Sequence, residues 1–216
     1  MTVRLNSKIL LATLWTGMVF VLFGCATSGS QRAEKTTTKM ESVDGDLKQV
    51  VAQIDAVENS LQNLIRPGQS DTKEAFEEYS ENVSEMVKTL GEKFKHTDEM
   101  SARGKDYFDE WKQQGNTYTN PQIRALSEQR MANLNTVFRR ISDSSIGVKG
   151  AFSAYMNDID EIQTFLSTDL TSKGVASITP VAEKAIRDGA NMKSAISPVL
   201  SAIDNARTEM AQGSDN

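Results

Sequence analysis

The sequence predicts an all-α protein: an elongated antiparallel up-down-up-down bundle of four long helices with coiled-coil-like packing. Three observations predict it. From Met40 onward the apolar residues Met40, Val43, Leu47, Val50, Ile54, Val57, Leu61 and Leu64 alternate spacings of three and four, which makes a seam along one side of a helix. The four prolines all fall at or after position 67, and three of them, Pro67, Pro121 and Pro180, stand where helices would begin or end. No stretch after position 25 alternates apolar and polar residues with the period of a strand.

The first helix is expected from residue 39 or 40, with Val51 and Ile65 widening its seam enough to touch more than one neighbour. Pro67-Gly68 ends it. Asp71 followed by Glu74 has the pattern of a capping box, so a second helix is expected over 72–114, carrying Phe76, Tyr79, Val83, Met86, Val87, Leu90, Phe94, Met100, Tyr107, Phe108 and Trp111 on one broad face. Gly115-Asn116 stops that helix. Asn120-Pro121, a favoured cap followed by proline at the first helical position, starts the third.

The third helix shows Ile123, Leu126, Leu134, Val137, Phe138, Ile141, Val148, Phe152, Tyr155, Ile159, Ile162 and Leu166. Its weak place is Ser142-Asp143-Ser144-Ser145 with Gly147 and Gly150 behind it, since such residues favour caps or cost about 1 kcal/mol each inside a helix. A break there would give five helices. The apolar phase runs through it from Leu134 to Leu166, which favours one continuous helix, with Gly147 and Gly150 admitting a close neighbour. Thr171-Ser172-Lys173-Gly174 reads as a turn, and Thr179-Pro180 as the opening of a last helix through Ile186, Met192, Ile196, Val199, Ile203 and Met210, bent at Pro198.

Ahead of the bundle, Arg4 and Lys8 precede an apolar run over 9–23. A run of about 15 residues falls short of the roughly 20 that cross a bilayer, and the basic flank fits a cleaved export signal. Leu22-Phe23-Gly24-Cys25 resembles the lipobox of bacterial lipoproteins, with Phe23 where a small or β-branched residue is usual. The resemblance implies diacylglycerol on the Cys25 thiol, cleavage before it, an N-acyl group on the new amine and stable membrane attachment. Ala26, where an aspartate would favour retention in the inner membrane, implies an outer-membrane protein facing the periplasm. The expected organisation is a signal peptide over 1–24, a lipidated N-terminus and flexible tether over 25–38, a bundle over 39–212 and a polar tail over 213–216. Cys25 is the single cysteine, so no disulfide or thiolate metal site is expected.

Phe108-Asp109-Glu110-Trp111, the helix from Ser127-Glu128 to Arg139-Arg140, and the stretch 166–178 with Asp169-Leu170 and Val175-Ala176-Ser177-Ile178 are similar to a family of uncharacterised bacterial proteins, mostly predicted lipoproteins, known as a domain of unknown function. The similarity covers about the last half of the chain. It implies a long helical, coiled-coil-like fold with a continuous third helix, and it supplies no catalytic residue.

Composition and motifs narrow the function. The formal charge is −5 and becomes −7 without residues 1–24, because two of the 24 basic residues and none of the 29 acidic ones precede Cys25. An acidic surface argues against a nucleic-acid partner. A di-iron bundle needs two histidines and the chain has one, His96, expected as a solvated surface residue beside Lys93, Lys95 and Asp98. Asp158-Ile159-Asp160-Glu161 lacks the glycine and terminal glutamate of a calcium loop and reads as a solvated helix face, as do Glu77, Glu78 and Glu81. No P-loop, dinucleotide fingerprint or nucleophile elbow occurs. No cofactor is expected beyond the covalent lipid on Cys25.

Tyr107, Phe108, Trp111 and Tyr118 form a candidate interaction or membrane-proximal cluster. A second helix of about 43 residues would overshoot a first of about 27 by roughly 24 Å and point these rings back toward the tether. The competing reading is that they close the core at the end of a hairpin. The leading expectation is a non-enzymatic, lipid-anchored periplasmic scaffold that binds an envelope protein, its oligomeric state open because the seam of the first helix can pair within or between chains. The alternative is a sensory or small-ligand-binding bundle with its pocket near residues 142–150.

Overall fold

A computed structural model describes residues 29–211, leaving aside the side chains of residues 90–92 and 94. The expected signal peptide, the expected lipobox with Cys25, the first residues of the expected tether and the expected tail lie outside the described residues. Among the described residues the regular structure is wholly helical: α1 Gly29–Leu64, α2 Thr72–Gly115, α3 Pro121–Ser145, α4 Val148–Thr168 and α5 Ser172–Ala211. Five helices stand where four were expected.

Helix α1 starts ten residues before the expected boundary, so residues 29–38 are helical rather than tether. Its seam extends backward with unchanged spacing through Thr36 and Ala33, positions whose small or hydroxylated side chains hide the period. Thr36 is buried and its hydroxyl donates to the Arg32 carbonyl at 3.0 Å, which satisfies the polar group where it sits. At the other end Gly68 takes a left-handed turn with φ +76°. Asp71 then caps α2 by accepting from the Glu74 N–H at 3.0 Å. The reciprocal arm of the box is replaced, since the Asp71 N–H donates to Gln69 Oε1 at 3.2 Å. Side chains link α1 to α2 at Arg32–Gln114, Lys39–Glu99, Asp46–Lys93 and Gln53–Thr89, partners that fall in α2 as they rise in α1.

Helix α3 opens as expected, with Asn120 Oδ1 accepting from the Gln122 N–H at 2.9 Å ahead of Pro121. It does not continue through the serine-rich stretch. Ser145 turns its hydroxyl back onto the Ile141 carbonyl at 2.7 Å, Ile146 is extended, and Gly147 is left-handed with φ +87°. That pair of conformations ends α3 and starts α4, and it leaves Ile146 79 % exposed. Nothing lies within 4 Å of a Cβ built on Gly147 or Gly150, so the break itself, and no close neighbour, accounts for Gly147.

The apolar phase survives the break because α3 and α4 each bury one face against the same three helices. One core cluster joins α1, α2, α4 and α5 around Ile54, Tyr79, Ile159 and Met192; the other joins α1, α2, α3 and α5 around Met40, Met100, Leu134 and Ile203. Each cluster therefore draws on four helices.

Helix α5 begins at Ser172, eight residues before Pro180, and both Pro180 and Pro198 lie inside it. The cap is Thr171, whose Oγ1 accepts from the Gly174 N–H at 3.1 Å and donates to Asp169 Oδ1 at 2.7 Å. Those hydrogen bonds from Thr171 hold the Asp169 carboxyl below the usual carboxylate range. Thr179-Pro180 is thus no boundary.

Candidate functional site

The aromatic group gathers at the end of the bundle where α1 begins. Tyr107 meets Phe108 and Trp111 edge-on at 5.2 and 5.7 Å, and Phe108 meets Phe138 of α3 at 5.7 Å. Tyr107, Phe108 and Trp111 are half-buried against the second core cluster. One side of each ring packs on that core and the other remains accessible. The Trp111 indole N–H donates to Ser127 Oγ at 2.9 Å, fixing the ring to the first turns of α3. Burial pushes the Tyr107 hydroxyl above its ordinary pKa, against the opposing pull of Arg32 and Arg130.

Above these rings opens a cleft of about 560 Å³, lined among others by Gly29, Arg32, Tyr107, Trp111, Tyr118 and Arg130. Arg32 donates to Gln114 Oε1 at 2.7 Å and stands 3.6 Å from Glu110. Arg130 donates to the Glu209 carbonyl at 2.6 Å and to its carboxylate at 3.1 Å. Tyr118 sits in the turn, with its carbonyl held by Arg124 at 2.6 Å. The cleft offers ring faces, phenol groups and two oriented guanidiniums, an inventory that suits contact with an amphipathic surface. The expected 24 Å overshoot is absent: α1 is helical from Gly29, and Arg32 in its first turn bonds Gln114, one residue before the end of α2, which sets the start of α1 beside the rings.

The hollow that touches Val148 and Phe152 has a volume of about 30 Å³, room for about one water.

No family model, curated protein or solved structure matches the chain.

His96 keeps 38 % of its side chain exposed and also has a partner on α1. Its Nδ1 lies 2.6 Å from Asp46 Oδ2, and Asp46 also accepts from Lys93 at 3.0 Å, so α1 and α2 are clamped there by one carboxylate between two nitrogen groups. Burial would raise the Asp46 pKa, but the hydrogen bonds from His96 and Lys93 outweigh it and hold the group below its ordinary value. That clamp contributes stability above the usual carboxylate range and loses it as the medium is acidified through the depressed value. Asp158 lies on an outward face and pairs with Lys184 at 2.9 Å while Ile159 points into the core. Among the described residues no three His, Cys, Asp or Glu are grouped to hold a metal.

A second polar group escaped the sequence. Glu58, buried in α1, accepts from Lys193 of α5 through Oε2 at 2.8 Å, and Lys193 also reaches Asp55. The other oxygen, Oε1, has no hydrogen-bond partner and lies against Gly189, where any Cβ would overlap it. The one available signal was spacing: Glu58 stands seven residues after Val51 and seven before Ile65, in the middle of the widened flank.

Proposed function

We propose that this chain is a lipid-anchored helical bundle of the bacterial envelope, attached to the outer membrane through Cys25, facing the periplasm, and acting as a non-enzymatic scaffold that engages an envelope protein through its helical faces. In this reading the arrangement is antiparallel and coiled-coil-like, with α3 and α4 sharing one position, and the similarity of the second half of the chain to predicted lipoproteins of unknown function belongs to the same proposal. The observation that carries it is the continuity of the two cores: apolar side chains fill the bundle from Met40 and Met210 at one end to Leu64 and Leu166 at the other. The larger hollows lie around the first turns of α1. A filled rod with an anchored end presents surfaces along its length, and apolar side chains such as Val87, Phe165 and Val181 interrupt those surfaces. No helix among the described residues is long and apolar enough to cross a membrane, so attachment in this reading falls to Cys25.

Photo-crosslinking side chains placed at Lys112 and Arg139 in intact cells test the scaffold role. One protein should be captured reproducibly from one face and lost from the other. Absence of a reproducible partner from every face contradicts it.

A further inference from the structure

We infer that the end of the bundle carrying Trp111, Tyr118, Ile123 and Leu126 rests on the phospholipid surface in which Cys25 is anchored, so that the protein meets the membrane at two points. The inference rests on the proposed anchor and adds a second contact to it.

Reach comes first. With α1 helical from Gly29, the first described residue, only three residues lie between it and Cys25, a span of at most about 14 Å over four Cα–Cα steps. The 13-residue tether expected from sequence would have left the bundle free to hang in many orientations. A span this short holds the first turn of α1, and whatever packs beside it, at the lipid headgroups. The Arg32–Gln114 bond and the shared cleft show that what packs beside it is the end of α2, with Trp111, and the α2–α3 turn, with Tyr118.

Overhang is the second observation. Arg130 of α3 is bonded to Glu209, two residues before α5 reaches its last described residue, Ala211. The α3 turns that precede Arg130 therefore project past Ala211. They carry Ile123, 49 % exposed, and Leu126, 66 % exposed, two large apolar side chains with no covering element among the described residues. Trp and Tyr beside aliphatic residues are the combination that settles at a water–lipid boundary, rings at the headgroups and aliphatic groups just below.

Charge sets the character of the contact. The chain is net acidic, and Arg32, Arg124 and Arg130 at this end are each engaged by acceptors of the protein itself. Anionic lipid is not what draws this end in. The contact is apolar, insensitive to salt, and sustained by the high effective concentration that a short tether confers.

The chain has two tryptophans, Trp15 and Trp111, so Trp15→Phe leaves Trp111 as the sole indole whether or not residues 1–24 are removed. The full chain with that substitution, recovered from cell membranes, is reconstituted into phosphatidylcholine vesicles whose acyl chains carry bromine near the headgroup. Trp111 fluorescence should be quenched relative to unbrominated vesicles, equally at low and high salt. The pair Ile123→Asp and Leu126→Asp, both exposed, should keep the helical circular dichroism and vesicle attachment while losing most of the quenching. Unquenched Trp111 in vesicle-bound protein overturns the inference, and so does quenching that the two aspartates leave intact. The mass of the Cys25 peptide reports the anchor separately: quenching without acyl chains on Cys25 sustains the docking and refutes the anchor chemistry.

Discussion

Substituting alanine for Gly174 should destabilise the protein by about 3 kcal/mol, seen as a fall of roughly 6–12 °C in Tm for a chain of this size. The sign is the informative part. Glycine to alanine inside a helix ordinarily stabilises by about 1 kcal/mol. Gly174 is the third residue of α5, and a Cβ there would overlap the carbonyl oxygen of Asp169, a backbone atom, as well as the Asp169 carboxyl group. A side chain can swing away; a carbonyl at the end of α4 moves only if the tight turn between α4 and α5 opens. Opening it also separates Thr171 Oγ1 from the Gly174 N–H, so the cap of a 40-residue helix goes with it. Circular dichroism melts of the two proteins decide the matter, and an alanine variant that melts higher would show that α4 and α5 are not joined in this way.

Replacing Lys193 by methionine should cost about 2–3 kcal/mol, somewhat less than a fully buried pair because the lysine side chain is about a quarter exposed. Removing the ammonium leaves Glu58 buried, with Oε1 already lacking a partner and Oε2 losing its own. The apolar double variant Glu58→Leu with Lys193→Met should recover most of the loss, since an absent pair costs far less than half of one. Alkaline pH supplies a second readout. Burial opposes the charge on Lys193, but its hydrogen bonds to Asp55 and Glu58 prevail and raise its pKa above the ordinary lysine value. A raised folded-state value means the stabilisation is complete below the ordinary lysine pKa and fades as pH rises through the raised one. Lys193→Met should remove that part of the alkaline decline. Equal chemical denaturation midpoints for wild type and Lys193→Met at neutral pH would contradict the buried pair.

The boundaries of α2 and the start of α3 were legible because the chain marks them with Asp71 and Asn120-Pro121, side chains whose hydrogen bonds are local and readable as spacing. The start of α1 was not, because Ala33 and Thr36 occupy seam positions without looking apolar. Thr179-Pro180 has the composition of a helix start, yet α5 passes through it and takes its cap from Thr171, held in turn by Asp169. The break at Ile146-Gly147 was visible as weak composition and hidden by phase: two helices packed on the same neighbours keep the same apolar period as one.

The site was legible in its members and not in its surroundings. Tyr107, Phe108, Trp111 and Tyr118 were grouped from the sequence and do share one end, but the cleft above them needs the ten early residues of α1 to form one wall. Ile123 and Leu126 looked like core residues by period, yet no described element covers them, and no local pattern encodes that. Glu58 and Lys193 meet across 135 positions of sequence, and only the fold brings them together.

Incorporation of radioactive fatty acid in growing cells, compared between the wild-type chain and Cys25→Ser, tests the central claim most directly. The wild type should be labelled and remain with the membrane, and the serine variant should carry no label. Equal labelling of the two proteins, or no label on either, would contradict a lipid anchor at Cys25.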